Sequence, residues 1–345
     1  MKVLFVGLGS IGQRHLRNLK YIAGDSINVI AFRSKNHTPV LDEQQQVIKN
    51  TGLEQQYKIR KFDDLDQALA DKPDIAFITN PSHHHINVAL KAAEAGCHLF
   101  IEKPLSANTD RINELIDLVH HKKLTAMVAY QYRFHPGLIQ VAKWLEKRKI
   151  GQPISATFVQ GDFLPQWHPY EDYRDSYASR KELGGGVLLT QIHEFDNALY
   201  LFGLPRRVFS LGGKLSQLEI NVEDTASVLM ECENEGKILP VTILTDFLQS
   251  PPVRNCTIVG ENGRIFLDLI DSNISLTKRE TRETEYHDYK DFKRNQLFID
   301  ELKHFLDAVS GKTVPVVNIK TGLASLRMAL AARKSIETGE PVGLQ

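Results

Sequence analysis

Three short stretches of the sequence carry residues able to do chemistry. VGLGSIG places Gly7, Gly9 and Gly12 in GxGxxG spacing. Glycines spaced in this way permit a tight turn and a close backbone approach to a pyrophosphate, with a helix N-terminus aimed at the anion. IEKP at 101–104 sets a carboxylate beside an amine, Glu102 and Lys103, at the end of an apolar run. LGGGVLLTQIHEFD at 183–196 runs three glycines into an apolar stretch holding one histidine, His193. A histidine with a pKa of about 6.5 moves protons near neutrality. A lysine does so only when burial or neighbouring cations lower its pKa, and otherwise serves as a hydrogen-bond donor. A dinucleotide cradle together with one movable proton is what hydride transfer to or from an alcohol carbon requires of a protein.

These residues need particular elements to position them. The glycines follow a β-type run at 3–6 and precede an amphipathic stretch at 11–22. Further short apolar runs at 27–32, 74–78, 98–101 and 125–128 alternate with helical patterns at 84–95 and 108–121. Alternation of that kind predicts βαβ units on a parallel sheet, an N-terminal Rossmann-type, doubly wound α/β domain over residues 1–125. After a helical pattern at 136–149, β-rich segments dominate from 153 to 277, with turn signals in NEGK (234–237) and GENGR (260–264). One helix is expected over 187–202, and two more at 292–309 and 321–338. The second domain, 126–345, therefore reads as α+β with a large, mostly antiparallel open sheet, and its last helix is expected to pack back on the first domain. KRETRETEY at 278–286 reads as a solvated edge strand.

The carboxyl ends of parallel strands are where ligands bind. Thr79, Asn80 and Pro81 fall there and are expected to line the nicotinamide-ribose side. At the end of the second strand, a carboxylate would hold the ribose hydroxyls of NAD, but the sequence has Arg33, Ser34 and Lys35. A guanidinium and a hydroxyl suit a 2′-phosphate, so NADP is preferred over NAD. His83, His84 and His85 are consecutive, point in different directions and are assigned no metal. The Lys103–Pro104 bond is expected to be cis.

The bulk composition narrows the function classes. Lys+Arg and Asp+Glu both number 42, and the resulting zero net charge argues against a dedicated nucleic-acid binder. Three scattered cysteines exclude a disulfide framework. No apolar run approaches the ~18 residues of a membrane span, and the N-terminus lacks signal-peptide character. A cytoplasmic protein without membrane or nucleic-acid partners is expected.

Taken together, GLGSIGQRH (7–15), TNPSHHH (79–85), AGCHLFIEKP (95–104), YQYRFHP (130–136) and ELGGGVLLTQIHEFD (182–196) resemble the glucose–fructose oxidoreductase / inositol dehydrogenase / MocA family along essentially the whole chain. LPQWHPYEDYRDSYASRKELGGG (164–186) resembles the branch found among bacterial surface-glycan biosynthesis proteins. The resemblance implies reversible hydride transfer between a nicotinamide and a sugar, sugar acid or nucleotide-sugar, and a homo-oligomer, dimer or tetramer, built through the C-terminal sheet. It implies Lys103 and His193 as catalytic residues. Coenzyme contacts are expected from Gly7, Gly9, Ser10, Ile11, Gly12, Arg33, Ser34, Lys35, Thr79, Asn80, Pro81, His84, Glu102, Lys103, Gln131 and Arg133. Substrate contacts are expected from Lys103, Tyr132, Tyr170, Tyr173, Arg180, Thr190 and His193. Many relatives carry an aspartate shortly before the histidine where this chain has Thr190, which cannot hold a negative charge. Two other functions fit the same residues: a glycosidase that recycles its coenzyme, and a non-catalytic NADP-sensing protein.

Overall fold

The computed structural model describes residues 1–33 and 38–344. Strand β1 (Lys2–Val6) is buried from its second residue on, and helix α1 (Ser10–Ala23) springs from the glycine loop behind it. Next come β2 (Asn28–Phe32), a small hairpin of β3 (Val40–Leu41) and β4 (Val47–Ile48), α2 (Leu53–Tyr57), β5 (Arg60–Phe62) and α3 (Leu65–Ala70). The unit closes with β6 (Ile75–Ile78), α4 (His85–Glu94), β7 (His98–Glu102), α5 (Ile112–His121) and β8 (Ala126–Ala129). Six strands form one sheet in the order β5-β2-β1-β6-β7-β8, all pairs parallel. Strand β6, IAFI, inside the sheet, and β8, AMVA, at its edge, are buried at every position, the continuous apolar pattern that a sheet covered on both faces demands. Chain order reverses beside β1, which opens a crevice at the carboxyl ends of β1 and β6. The stretch 39–73 has no clear period in the sequence because its elements are short and β5, RKF, is a polar edge.

The second unit begins with α6 (Pro136–Glu146) and β9 (Pro153–Gly161). It continues through α7 (Val187–Thr190), α8 (His193–Phe202), β10 (Arg207–Gly213), β11 (Thr225–Asn234), β12 (Lys237–Asp246), β13 (Val253–Gly260), β14 (Gly263–Asp268), β15 (Asn273–Lys278) and β16 (Thr284–Asp288). Helices α9 (Asn295–Val309) and α10 (Ile319–Thr338) and a short β17 (Val342–Gly343) complete it. Nine strands order as β16-β15-β14-β13-β9-β12-β11-β10-β17, antiparallel except for β9 with β12. Strand β13 alternates buried and half-exposed along its whole length, so one sheet face packs against helices and the other is open. Glu235 and Gly236, both with positive φ, make the tight NEGK turn. β16, within the charged run, is the solvated edge.

The C-terminal helices return to the first sheet. Val128 of β8 donates its amide to the Val317 carbonyl, and a Cβ on Gly322 of α10 would lie 2.7 Å from Val128. Only a glycine lets α10 approach that closely. No helix among the described residues is long and apolar enough to cross a membrane.

The expected single helix over 187–202 is two helices. The chain leaves helical geometry at Gln191 (φ −99°, ψ 31°), whose side chain bonds the Asp246 carbonyl and the Thr245 hydroxyl of β12. Those tertiary bonds outweigh the helical periodicity, and they leave the Thr190 carbonyl facing the first domain.

Candidate active site

The glycine loop is shaped for a close-lying anion. Gly7 has φ 92°, and a Cβ there would sit 2.9 Å from the Asn80 backbone. A Cβ on Gly12 would meet the Gly7 carbonyl at 2.6 Å. Around Gly9 nothing lies within 4 Å of such an atom, so this side of the loop is open. Gly9 is also the N-cap of α1, with no side-chain cap and no acidic residue in the first turn. Ser10, Ile11 and Gly12 therefore present an uncapped helix N-terminus, and its partial positive charge, to the groove. A dinucleotide pyrophosphate fits this cradle.

Neighbouring strand ends brace it. The Thr79 hydroxyl donates to the Gly7 carbonyl at 2.6 Å, so it secures the loop and is not aimed at the ribose as expected. Asn80, before Pro81, keeps a buried Oδ1 with no partner among the described residues. His85 is the histidine that turns inward: its ring spans the Asn80 carbonyl at 2.7 Å and the Pro104 carbonyl at 2.9 Å. His84, expected on the coenzyme, is exposed and packs edge-on against His83. No metal-holding group occurs among the described residues. Arg33 is buried at the end of β2, paired with Glu54 of α2. Ser34 and Lys35 lie outside the described residues.

The candidate reactive residues meet where the two units face each other. Glu102 ends β7 and is fixed twice: His15 Nε2 of α1 donates to its Oε1 at 2.6 Å, and the Lys103 amide donates to its Oε2 at 3.0 Å. The next bond, Lys103–Pro104, is cis, as expected. Lys103 Nζ reaches across to donate to the Thr190 carbonyl at 2.8 Å. Burial, assisted by the Arg254 and Arg294 charges and opposed by Glu102, lowers the Lys103 pKa to about 8. The Thr190 hydroxyl donates back to the Gly186 carbonyl at 2.8 Å, so Thr190 offers the cleft its carbonyl, not its side chain.

His193 opens α8 and is buried. Gln131 Nε2 lies 3.3 Å from its Nε2, and its Nδ1 has no partner among the described residues. Tyr132 stands edge-on to the imidazole at 5.0 Å, and the Arg254 guanidinium covers the Tyr132 ring at 4.2 Å. Arg254 is itself held by Glu194 through two bonds of 2.9 Å. Burial first, then the cations Lys103, Arg254 and Arg294, push the His193 pKa well below its ordinary value. Its ordinary titration near neutrality, expected from the sequence, is thereby lost, and Lys103 is the group whose pKa lies near the working range.

Other expected contacts fall elsewhere. Arg133 is tied to Asp196 at 2.6 and 2.9 Å and stacks on Tyr200, so its side chain joins two elements. The Tyr173 hydroxyl accepts from the Glu219 amide, and Arg180 pairs with Asp175 at 3.3 Å; neither touches Lys103 or His193 among the described residues. Tyr170 meets the Ser10 hydroxyl, which places it on the nucleotide side of the cleft and not with the substrate residues. Loop 164–186 thus straps across the first unit, and its Gly184 is so close to Ser82 and Ala107 that a Cβ would be 3.2 and 2.9 Å from theirs. His15, His85, Glu194, Arg254 and Arg294 escape sequence reasoning. His15 lies in α1, at the end of the GLGSIGQRH stretch already singled out, but the Arg254–Glu194 pair joins positions 60 apart with no local signal.

A family profile described as an oxidoreductase family with an NAD-binding Rossmann fold matches residues 1–130, and its companion C-terminal α/β domain matches 142–344. Myo-inositol 2-dehydrogenase of Thermotoga maritima is 26% identical over 353 residues, covering 100% of this chain and 99% of its own. The NAD(+)-dependent scyllo-inositol 2-dehydrogenase of Bacillus subtilis is 24% identical, over 98% and 95% of the two chains. The WlbA dehydrogenase of Bordetella pertussis, solved with NADH and UDP-GlcNAcA, shares the fold with a TM-score of 0.79, 20% identity and coverage of 100% and 99%.

Proposed function

The chain belongs to the Gfo/Idh/MocA oxidoreductase family, with its NAD-binding Rossmann domain, and from that premise we propose that it transfers a hydride between a nicotinamide coenzyme and a ring carbon of a sugar-like alcohol. The observation that carries this reading is Lys103: a half-buried ammonium with a pKa of about 8, held by the Thr190 carbonyl beside an open dinucleotide cradle. The coenzyme, when bound, supplies the hydride acceptor or donor. Gly9, Ser10, Ile11 and Gly12 hold its pyrophosphate through backbone amides, and Asn80, Pro81 and Gln131 border the nicotinamide end. Lys103 takes the proton from the substrate hydroxyl during oxidation and returns it during reduction. His193, kept neutral by its burial and its cationic neighbours, hydrogen-bonds the same oxygen and orients the carbon. Names of the full-length relatives, which act on inositols, support a polyhydroxylated ring as substrate.

NADP is the proposed coenzyme. What supports it is Arg33 at the end of β2, whose guanidinium, paired with Glu54, is of the type that binds a 2′-phosphate. Calorimetric titration with NADPH and NADH tests this. The wild type is expected to bind NADPH more tightly, with the preference reversed in Arg33→Asp. Equal affinity in both proteins would remove the NADP assignment. Leu211, Leu229 and Leu244 are exposed on the open face of the second sheet, and the proposal includes a homo-oligomer joined there, in the cytoplasm.

A further inference from the structure

A cavity of about 310 Å³ lies beside Tyr132 and Arg254, the residues that flank His193. Its wall includes Tyr132, Gln160, Asp162, Arg254, Ser272 and Arg294. Tyr132 belongs to both places, since the ring that faces His193 at 5.0 Å also lines the cavity. A substituent on a ring held at Lys103 would therefore enter here.

The charges of this cavity are unevenly matched. Arg254 is answered by Glu194, and Glu102 is answered by His15. Arg294, the exposed N-cap residue of α9, has no ion-pair or hydrogen-bond partner for its side chain among the described residues. Asp162 is the one carboxylate lining the cavity, and burial favours its neutral form while Arg294 and Arg254 oppose that shift. Across the site, Lys103, Arg254 and Arg294 all act on His193, and no carboxylate appears among the groups that do. A guanidinium left free in a concave site is suited to bidentate contact with a carboxylate or a phosphate.

We propose that this cavity binds an anionic substituent of the substrate, a carboxylate or a phosphate, and that Arg294 receives it. The proposal rests on the oxidoreductase reading and narrows its substrate to acidic or phosphorylated sugars. Asp162 then accepts from a ring hydroxyl beside the anion. The arriving negative charge also offsets the cations around His193 and Lys103, which raises the Lys103 pKa and favours the protonated lysine that the reduction direction needs.

The test uses the coenzyme-loaded protein and Arg294→Gln. Turnover and calorimetric binding are measured with glucose, glucuronate, glucose 1-phosphate and UDP-glucose, and binding alone with inorganic phosphate. Preference for glucuronate identifies a carboxylate, and preference for the phosphorylated probes identifies a phosphate. In either case the anionic probe is expected to lose roughly 10- to 100-fold in affinity in Arg294→Gln, the worth of a charge-assisted hydrogen bond. Glucose handled as well as its anionic forms, with no change in the variant, would overturn the proposal while leaving the oxidoreductase reading intact. Absence of binding by every anion, phosphate included, would also overturn it. Titration of the coenzyme on the same preparation reads the underlying assignment separately.

Discussion

Lys103 Nζ donates to the Thr190 carbonyl at 2.8 Å, a bond between the end of a Rossmann strand and the break in a helix pair of the second domain. That carbonyl is available because Gln191 leaves helical geometry to bond β12. The proposed proton-transfer group is thus positioned by a break between two helices, and desolvation with the nearby Arg254 and Arg294 lowers its pKa to about 8.

The pH dependence follows from this. Oxidation needs neutral Lys103, so kcat/KM is expected to climb with pH and level off above about 8, with no inflection from His193, whose pKa is pushed far lower. A profile of kcat/KM against pH checks this, and a limb near 6.5 that disappears in His193→Asn would assign the base to the histidine instead. The linkage has a definite sign too. The folded pKa lies below the ordinary 10.5, so folded protein holds fewer protons between about 8 and 10.5, and this group's contribution to stability rises with pH across that window.

Gly9→Ala and Gly12→Ala separate coenzyme binding from folding. At Gly9 a methyl meets no protein atom, so melting temperature should hold while coenzyme affinity falls. At Gly12 it meets the Gly7 carbonyl at 2.6 Å, so both should fall, with about 1–3 kcal/mol of stability lost to overpacking. Thermal melts and calorimetry on the two variants give the comparison. An unchanged coenzyme affinity in Gly9→Ala would place the nucleotide elsewhere.

Tyr170→Phe loosens the strap. Its phenol meets Ser10 at the mouth of the nucleotide groove. Losing one hydrogen bond of about 1 kcal/mol should speed coenzyme release roughly 5-fold, as read by stopped-flow displacement. A release rate identical to wild type would mean that the strap does not gate the groove.

Glu301 of α9 has both carboxyl oxygens buried without partners among the described residues. Burial, reinforced by Glu102 and Asp196, raises its pKa well above 4.5. A raised folded pKa means the contribution to stability is complete below 4.5 and is lost as pH rises. Glu301→Gln is therefore expected to stabilise the protein more at pH 8 than at pH 5, by thermal melts. A variant equally stable relative to wild type at both values would show that Glu301 titrates normally.

Much of this was visible in the residues. Continuous apolar strands, the GxGxxG turn and the EKP segment define the first domain and half of the site, because parallel strands and phosphate loops impose local demands that one stretch of chain must meet alone. The alternating strands and the NEGK turn define the second sheet for the same reason. What stayed hidden depends on distant partners. The helix break at Gln191 arises from β12, the placement of Arg133 from Asp196, and the depressed basicity of His193 from its burial and from Lys103, Arg254 and Arg294. No local pattern encodes which strand will lie beneath a given helix, so helical spacing alone predicts one helix over 187–202.

The most direct measurement compares wild type with Lys103→Met for coenzyme binding and for nicotinamide reduction over a panel of sugars, inositols and their acidic and phosphorylated forms. Both proteins are expected to bind coenzyme with similar affinity, while the variant loses about 10²- to 10⁴-fold in kcat, the usual worth of a positioned acid–base group. A variant that reduces coenzyme as fast as wild type, or a wild type that binds neither NADH nor NADPH, would contradict the account.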